Sequence, residues 1–295
     1  MTTGLDDLQN ISDARKTAVI NDELLRLKID ITTLQETRLA DSGTLKKKDY
    51  TFFLQGKSAE HRREHGVGFA VRNTLLKMVE PGDKGCERLL TLRLYTSDGP
   101  ISLISAYAPT LTSTPEAKDE FYSNLNVVIK NIPNNEQLVL LGNFNARVGA
   151  DQDSWPSCLG SFGVGKVNDN GQRLLEFCSY HGLCVINTFF QTKPQYRVSW
   201  RHPRSKHWHQ LDMIIVRRTS LKHVLLTRTF HSADCDTDHS LVCCKIRLTP
   251  KTLHRAKPQG KPRINTIKMQ QEAKFEEFAK TFEKAISAKI LKVQH

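Results

Sequence analysis

The sequence lacks any apolar stretch long enough to cross a membrane, and no apolar segment of the signal-peptide kind follows Met1. A spanning helix needs about 20 consecutive apolar residues, and a signal peptide needs a run of roughly 7–15. The sequence also lacks a disulfide framework, because its seven cysteines are an odd number and do not have the spacing of one. These absences predict a protein of the nucleus or cytoplasm with reduced thiols, which is neither secreted nor inserted in a membrane.

Acidic residues are few relative to basic ones. Asp and Glu total 31 against 43 Lys and Arg, which gives a net charge of +12 and a pI near 9.4. Such an excess favours a polyanionic partner, either nucleic acid or an anionic membrane surface, although a solvated basic surface also explains it. The 39% of hydrophobic residues suffices for a sizeable core in one large domain.

Short apolar segments bounded by polar, glycine or proline residues predict the strands. They lie at 29–34, 50–54, 67–72, 88–95, 101–107, 137–141, 183–188, 196–201, 210–216, 225–230 and 240–248. Helices are predicted at 12–28 with Ser12 as N-cap, at 116–131, and at 171–181 before Gly182. Strands outnumber the interspersed helices, which predicts an α/β fold: a four-layer sandwich of two packed sheets flanked by helices.

The composition changes near residue 250, and residues 1–249 are predicted to form one domain. Residues 250–264 contain proline and several basic residues but no acid, which predicts an extended basic linker. Residues 265–295 place apolar side chains such as Phe275 and Phe278 at helical spacing, which predicts an amphipathic helix. This helix either packs on the domain or begins a second domain and binds a protein partner.

Polar strings stand where predicted strands begin or end. They are L-Q-E-T at 34–37, Y-A-P at 107–109, G-N-F-N at 142–145, Q-L-D at 210–212 and D-T-D-H-S at 236–240. Each string alone has an ordinary explanation. A lone glutamate at a strand end is usually a solvated charge, a tyrosine there is usually packed, and G-N-F-N alone is typical of a turn. An isolated D-H pair is a weak signal. Their order and spacing along one chain make them specific.

In this order the strings resemble the motifs of the endonuclease/exonuclease/phosphatase family. The strings L-Q-E-T-R-L, W-R-H-P-R-S-K-H-W-H-Q-L-D (200–212) and D-T-D-H-S-L narrow the match. They resemble endonuclease domains of LINE-type non-LTR retrotransposons of the RTE clade, and equally the craniofacial development protein 2 (bucentaur-like) family. The resemblance covers about residues 12–248 and implies a DNA phosphodiesterase that uses Mg²⁺, or Mn²⁺ in its place.

The resemblance implies a role for each matching residue. Glu36 would hold the metal, Asp238 would lie at its edge, and the Tyr107 hydroxyl would point at the scissile phosphate. Asn145 would orient the attacking water, and Asp212 would orient His239, which would contact the phosphate. The predicted catalytic residues are therefore Tyr107, Asn143, Asn145, Asp212 and His239, and the predicted metal residues are Glu36 and Asp238.

Asn143 departs from the family pattern, which has a water-activating Asp at this position. An amide has no useful basicity, although it still binds water through hydrogen bonds. Because general-base catalysis contributes roughly 10²–10⁴-fold, the sequence predicts a weak or inactive enzyme.

A second departure lies before the first helix, where the family has a strand that carries an Asn metal contact. Residues 1–11 show no alternating apolar pattern. We therefore expect the first strand to be missing, which would leave neighbouring backbone unpaired. The alternatives are a local replacement of the strand, an unstable domain, and a start codon placed too far downstream.

Basic residues cluster around the fourth string and predict phosphate contacts along DNA. The predicted nucleic-acid-binding residues are Arg197, Arg201, Arg204, Lys206, Arg217 and Arg218.

Three functions remain open from the sequence: a retrotransposon-derived Mg²⁺-dependent DNA endonuclease, a non-catalytic nucleic-acid- or protein-binding copy, and a phosphatase or sphingomyelinase of the same fold. The basic surface and the W-R-H-P-R string disfavour the third. Asn143 and the missing strand favour an impaired copy.

Overall fold

The computed structural model describes residues 5–253 apart from 59, 83–84 and 234–236, with backbone only for 5–14. The predicted linker from residue 254 onward and the predicted C-terminal helix lie outside the described residues.

Within these residues the helices are α1 (Leu5–Arg26), α2 (Pro115–Lys130) and α3 (Asp169–His181). The strands are β1 (Ile31–Gln35), β2 (Ser42–Lys46), β3 (Tyr50–Gln55), β4 (Val67–Arg72), β5 (Val79–Pro81), β6 (Leu89–Thr96), β7 (Gly99–Tyr107), β8 (Gln137–Asn143), β9 (Leu183–Val185), β10 (Trp200–Arg201), β11 (Trp208–His209), β12 (Asp212–Arg217), β13 (Val224–Phe230) and β14 (Leu241–Ile246). None of the described helices is both long and apolar enough to span a bilayer.

The largest sheet contains six strands in the order β5-β6-β7-β8-β12-β9. Only β7 and β8 are parallel in this sheet, and the other pairs are antiparallel. Its strands are apolar on both faces, since successive side chains point to opposite sides. In β8, Leu138 and Leu140 pack in the core shared with α2 and α3, whereas Val139 and Leu141 pack in the core on the other side.

A four-stranded antiparallel sheet, in the order β1-β4-β3-β2, and the β13–β14 pair cover that second face. A smaller core on their outer side contains Leu24 of α1, Tyr50 and Phe52. The layers are therefore helices α2 and α3, the six-stranded sheet, the two smaller sheets, and α1. This arrangement confirms the predicted four-layer α/β class.

The predicted helices at 116–131 and 171–181 are confirmed, and Gly182 ends α3 in the left-handed conformation with φ 62°. The first helix begins at Leu5 rather than at the predicted cap Ser12, because residues 5–11 contain no glycine or proline to stop it. The predicted strand at 196–201 is also wrong in its first half, since Pro194–Arg197 forms a 3₁₀ turn.

Strands β1 and β14 end their respective sheets, and no strand of the described residues joins them. Before β1 the described chain forms only α1. Among the described residues no strand therefore lies between β1 and β14, and the expected absence of the first strand stays a prediction.

Candidate active site

Three predicted residues lie side by side at one edge of the six-stranded sheet. Tyr107 ends β7, Asn143 ends β8 and Asp212 begins β12. Tyr107 is the register partner of Asn143, and Asn143 is the register partner of Asp212. The parallel β7–β8 pair and the antiparallel β8–β12 pair thus bring segments that are far apart in sequence to one place.

Glu36 and His239 reach the same edge from the smaller sheets, since Glu36 follows β1 and His239 precedes β14. The Tyr107 hydroxyl donates to Glu36 Oε1 at 2.7 Å, and His239 Nδ1 lies 2.8 Å from Asp212 Oδ2. One cavity is lined by Glu36, Asn143, Asp212, Asp238 and His239. The structure therefore brings the predicted catalytic and metal residues together across both layers.

Glu36 stands in a strained loop. Its φ is 54°, in the left-handed region that side chains other than glycine rarely adopt. The next residues are fixed by backbone bonds, from Thr37 N to Gly66 O and from Arg38 N to His65 O. The carboxylate remains 44% exposed, and its second oxygen lies 3.2 Å from Arg38 Nη2. These bonds hold the carboxylate at the cavity without burying it.

Tyr107 is held as a hydrogen-bond donor. Burial, followed by the bond to Glu36, raises the pKa of its hydroxyl far above the ordinary range. Arg88 lies 5.3 Å over its ring and donates to its backbone carbonyl at 3.0 Å. A second guanidinium nitrogen of Arg88 lies 2.9 Å from His65 Nε2, and burial, then the Arg88 charge, lowers the pKa of His65. A neutral His65 therefore accepts this bond.

His239 keeps its positive charge more readily than an ordinary histidine. Burial by itself lowers its pKa, but the hydrogen bond to Asp212 and the charges of Asp212, Asp238 and Glu36 outweigh burial, so the pKa is raised. Because Nδ1 is bonded to Asp212, Nε2 is the nitrogen left to face a substrate. Asp212 is fixed in turn, since its backbone N–H donates to Ser199 Oγ at 3.2 Å.

Asn143 is only 4% exposed, and its Oδ1 accepts the backbone N–H of Asn145 at 2.8 Å. A Cβ at Gly142 would lie 1.8 Å from the carbonyl oxygen of Ala106, so only glycine lets β8 approach β7 here. Asn145 has φ 48°, and its amide donates to the Ala108 carbonyl at 2.8 Å. The Asn145 amide nitrogen is therefore partly occupied by backbone.

The β10–β11 hairpin is anchored to the site. Trp200 forms a backbone bridge with His239, and its indole N–H donates to Asp238 Oδ2 at 2.8 Å. Arg204 and Lys206 lie exposed between the two strands, and Arg201 donates to the Lys206 carbonyl. The hairpin that carries these basic side chains is therefore joined to the site through Trp200.

The other predicted basic residues are arranged differently. Arg197 donates to the Thr192 carbonyl. Arg217 and Arg218 lie at the end of β12 opposite Asp212, roughly 16 Å away at about 3.3 Å per residue. Their guanidinium groups donate to backbone carbonyls there, including Ile132 for Arg217 and Pro156 for Arg218. These two residues are near Asp212 in sequence, but the extended strand separates them from it in space, and their predicted contact with DNA stays a prediction.

Four residues of the site were missed from the sequence. They are His65, Arg88, Asn170 and Trp200, and Asn170 donates to the Asn145 carbonyl at 3.0 Å. Trp200 lies within a motif that the sequence did single out, and Asn170 within N-D-N-G, which is typical of a turn before a helix. His65 and Arg88 carry no local signal, because their roles arise only when distant loops meet.

Comparisons with known proteins bear on the family and the fold of the chain. A model of the Endonuclease/Exonuclease/phosphatase family matches residues 8–239. The endonuclease domain of TRAS1, a telomere-specific non-LTR retrotransposon, shares the fold with a TM-score of 0.56 at 16% identity, over 79% of this chain and 92% of that domain.

Two relatives match in sequence. Craniofacial development protein 2 of Bos taurus is 29% identical over 238 residues, which cover 81% of this chain and 40% of that protein. Its counterpart in Tragulus javanicus is 30% identical over 242 residues, which cover 81% of this chain and 41% of that protein. The chain thus spans about two fifths of the length of these relatives. The resemblance predicted from the motifs is confirmed, and the chain belongs to the endonuclease/exonuclease/phosphatase family.

Proposed function

We propose that this chain is a retrotransposon-derived, magnesium-dependent DNA endonuclease domain whose rate of phosphodiester hydrolysis is lowered by Asn143. The observation that carries the proposal is the meeting of Glu36, Asn143, Asp212 and His239 around one cavity. The fold is that of nuclease-like phosphodiester hydrolysis, and the retrotransposon origin rests on the motif strings.

The chemistry of the donors fits one Mg²⁺ ion. No cluster of three or more His, Cys, Asp or Glu side chains suited to a metal occurs among the described residues. Magnesium needs only one or two carboxylates, because it keeps several waters. Glu36 offers a half-exposed carboxylate whose oxygens each accept one hydrogen bond and retain further lone pairs. A magnesium ion held by Glu36 would polarise the phosphate and steady the leaving oxygen.

The remaining residues act directly on the phosphate and the water. His239, kept charged by Asp212, donates from Nε2 to a phosphate oxygen and stabilises the negative charge that develops there. Asn143 holds the attacking water through its amide but does not accept its proton. The proton must therefore pass to solvent, which lowers the rate by roughly 10²–10⁴-fold relative to a carboxylate.

The basic side chains and the exposed indole of the hairpin favour DNA as its polyanionic partner. Arg201, Arg204 and Lys206 are exposed on the hairpin whose Trp200 bridges His239, and Trp208 is 42% exposed on the same hairpin. Phosphate contacts from such side chains give affinity without sequence information, and an exposed indole offers a face to a base or a sugar.

A non-catalytic nucleic-acid-binding module is the second candidate, and Asn143 is the observation that favours it. Both candidates bind DNA through the hairpin, and only the first cleaves it.

Nicking of supercoiled plasmid in magnesium buffer distinguishes the two candidates. We expect slow nicking that stops when EDTA removes the metal and when Glu36→Gln removes the carboxylate, while plasmid binding persists. Binding without any nicking would establish the module instead. Nicking that survives both EDTA and Glu36→Gln would refute the proposed site.

The hairpin makes a separate prediction about DNA affinity. The double variant Arg204→Ala, Lys206→Ala removes two exposed charges, so the salt slope of log K should fall by about one for each lost phosphate contact. The matched control is Lys130→Ala, Lys222→Ala, which removes two exposed charges from α2 and from the turn before β13. Equal loss of slope in both pairs, measured by fluorescence anisotropy across a salt series, would place the DNA elsewhere.

A further inference from the structure

The loop between β10 and β11, residues 202–207, carries the exposed side chains of Arg204 and Lys206. Pro203 stands second in this loop and has no backbone N–H to donate. Lys206 has φ 59°, in the left-handed region that side chains other than glycine rarely adopt. Such a loop keeps one conformation only if other contacts hold it.

His202 supplies those contacts. Its backbone N–H donates to the His207 carbonyl at 2.8 Å, and its own carbonyl accepts the N–H of Lys206 at 2.9 Å. Its imidazole Nδ1 accepts the backbone N–H of Arg204 at 3.2 Å and that of Ser205 at 3.1 Å. His202 is therefore bonded to each of these four residues.

The two bonds to Nδ1 fix the state of the imidazole. A ring nitrogen accepts a hydrogen bond only when it carries no proton, so the proton of the neutral ring is on Nε2. A second proton would go to Nδ1 and would turn the acceptor of two N–H groups into a donor that faces them. The backbone bonds of His202 would remain, but the loop would lose both bonds to the side chain.

No ion pair competes with this role of the imidazole. The charged and titratable groups around His202 are those of its hairpin and of two neighbouring segments: Arg201, Arg204, Lys206, His207, His209, Arg147 and Asp238. Asp238, the acid of this set, is bonded to the indole of Trp200, whose ring meets that of His202 edge-on at 5.5 Å. Within the described part of the chain, the imidazole of His202 is bonded to the two N–H groups and to no carboxylate.

We infer that His202 is the positioning residue of the DNA-binding hairpin: its neutral imidazole holds the loop in the shape that presents Arg204 and Lys206 to DNA phosphates, and protonation releases the loop. The inference rests on the proposed function, since it requires that DNA bind through this hairpin. A protein whose binding conformation is only partly populated binds more weakly in proportion to that fraction. A charged His202 therefore weakens DNA binding, although an added positive charge by itself strengthens it.

Two substitutions separate the acceptor from the ring. His202→Asn keeps an acceptor in the same place, because an Asn side chain commonly accepts the backbone N–H two residues on, and it takes up no proton. His202→Phe keeps a ring but has no acceptor. His207→Asn is the matched control, since it removes an exposed histidine from the same loop.

The first measurement needs no DNA. In the full chain labelled with nitrogen-15 histidine, long-range NMR correlations show which ring nitrogen carries the proton, and the signal that disappears in His202→Asn belongs to His202. At about pH 8, above the range in which histidine ordinarily titrates, we expect the proton on Nε2. A proton on Nδ1 would leave the loop without its acceptor and would overturn the inference.

The second measurement is the affinity for a fluorescent DNA duplex, followed by anisotropy at constant ionic strength. At about pH 8, where histidine is neutral, His202→Asn and His207→Asn should bind like the parent. His202→Phe should bind about fivefold more weakly, the effect typical of one lost hydrogen bond.

Acidification reverses the order of the parent and His202→Asn. At about pH 5, where histidine is charged, the parent should bind about fivefold more weakly than His202→Asn, because its imidazole no longer holds the loop. The other histidines are protonated in both proteins, so their effect cancels in this ratio. His207→Asn loses the same charge as His202→Asn but should bind no more tightly than the parent.

Three results would contradict the inference. Equal affinity of His202→Phe and the parent at the higher pH would show that DNA binding does not depend on the shape of the loop. Tighter binding by the parent than by His202→Asn at the lower pH would make His202 a cationic phosphate contact. Absence of DNA binding in every protein would refute the proposed function together with the role of His202, whereas failure of the inference alone leaves DNA binding by the parent intact.

Discussion

Asn143→Asp should raise the rate of magnesium-dependent plasmid nicking by about 10²–10⁴-fold, the contribution of a general base. The substitution keeps the shape of the side chain and adds the proton acceptor that the amide lacks. The backbone N–H of Asn145 already donates to Oδ1 at 2.8 Å. The new carboxylate would therefore be oriented without rearrangement.

The neighbours of Asn143 make the new carboxylate a better base than an exposed one. Asp212 of the neighbouring strand β12 is the register partner of Asn143, and Glu36 lines the same cavity. Nearby negative charges raise the pKa of a carboxylic acid, and a base with a pKa closer to neutrality removes a proton from water more effectively. The same repulsion should make the variant less stable than the parent in EDTA, and magnesium should restore part of that loss.

The matched control is Asn124→Asp, which adds the same charge at an exposed position on α2 and should leave nicking unchanged. Initial rates are compared with equal amounts of plasmid bound, so that affinity does not enter. If the parent chain nicks as fast as Asn143→Asp, Asn143 does not impair catalysis. If the variant binds plasmid but nicks no faster, the missing base is not what limits the chain.

The part of the site that the sequence predicted is the part built from strand ends. Short apolar runs define β7, β8 and β12, and the polar residue at the end of each run must then lie at one end of the sheet. Tyr107, Asn143 and Asp212 are neighbours for this reason. Which strands pair depends on contacts distant in sequence, and here the family resemblance supplied what the local pattern does not.

The parts of the structure that were not predicted depend on contacts between loops and on how the strands assemble. The Arg88–His65 bond joins two loops, and His65 adopts φ 64° only because neighbouring backbone bonds impose it. Arg217 shows that nearness in sequence does not ensure nearness in space, since five residues along an extended strand place it at the far end of β12 from Asp212. Strand assembly is equally invisible in the local pattern, since only the assembled fold shows that β1 and β14 end their sheets among the described residues.

His239→Ala, introduced into the Asn143→Asp variant, should lower the nicking rate by about 10²–10³-fold, which is typical for the loss of one donor to a developing negative charge. The faster background is needed because a loss of this size would disappear in the slow parent chain. His239 lines the cavity and is held by Asp212 at 2.8 Å. His223→Ala is the control, since His223 precedes β13 at the other end of the sheets.

The dependence of the rate on pH separates a charged donor from a packing role. The pKa of His239 is raised above 6.5, the ordinary value for histidine, so its side chain stays protonated to a higher pH. The rate should therefore fall only as the pH rises through this raised pKa. Asp212→Asn removes the hydrogen-bonded charge and should move that fall to lower pH, with the rate at low pH reduced less than the rate at neutral pH. A uniform reduction at every pH would show that Asp212 acts on structure alone, and an unchanged profile in His239→Ala would assign the phosphate contact to another group.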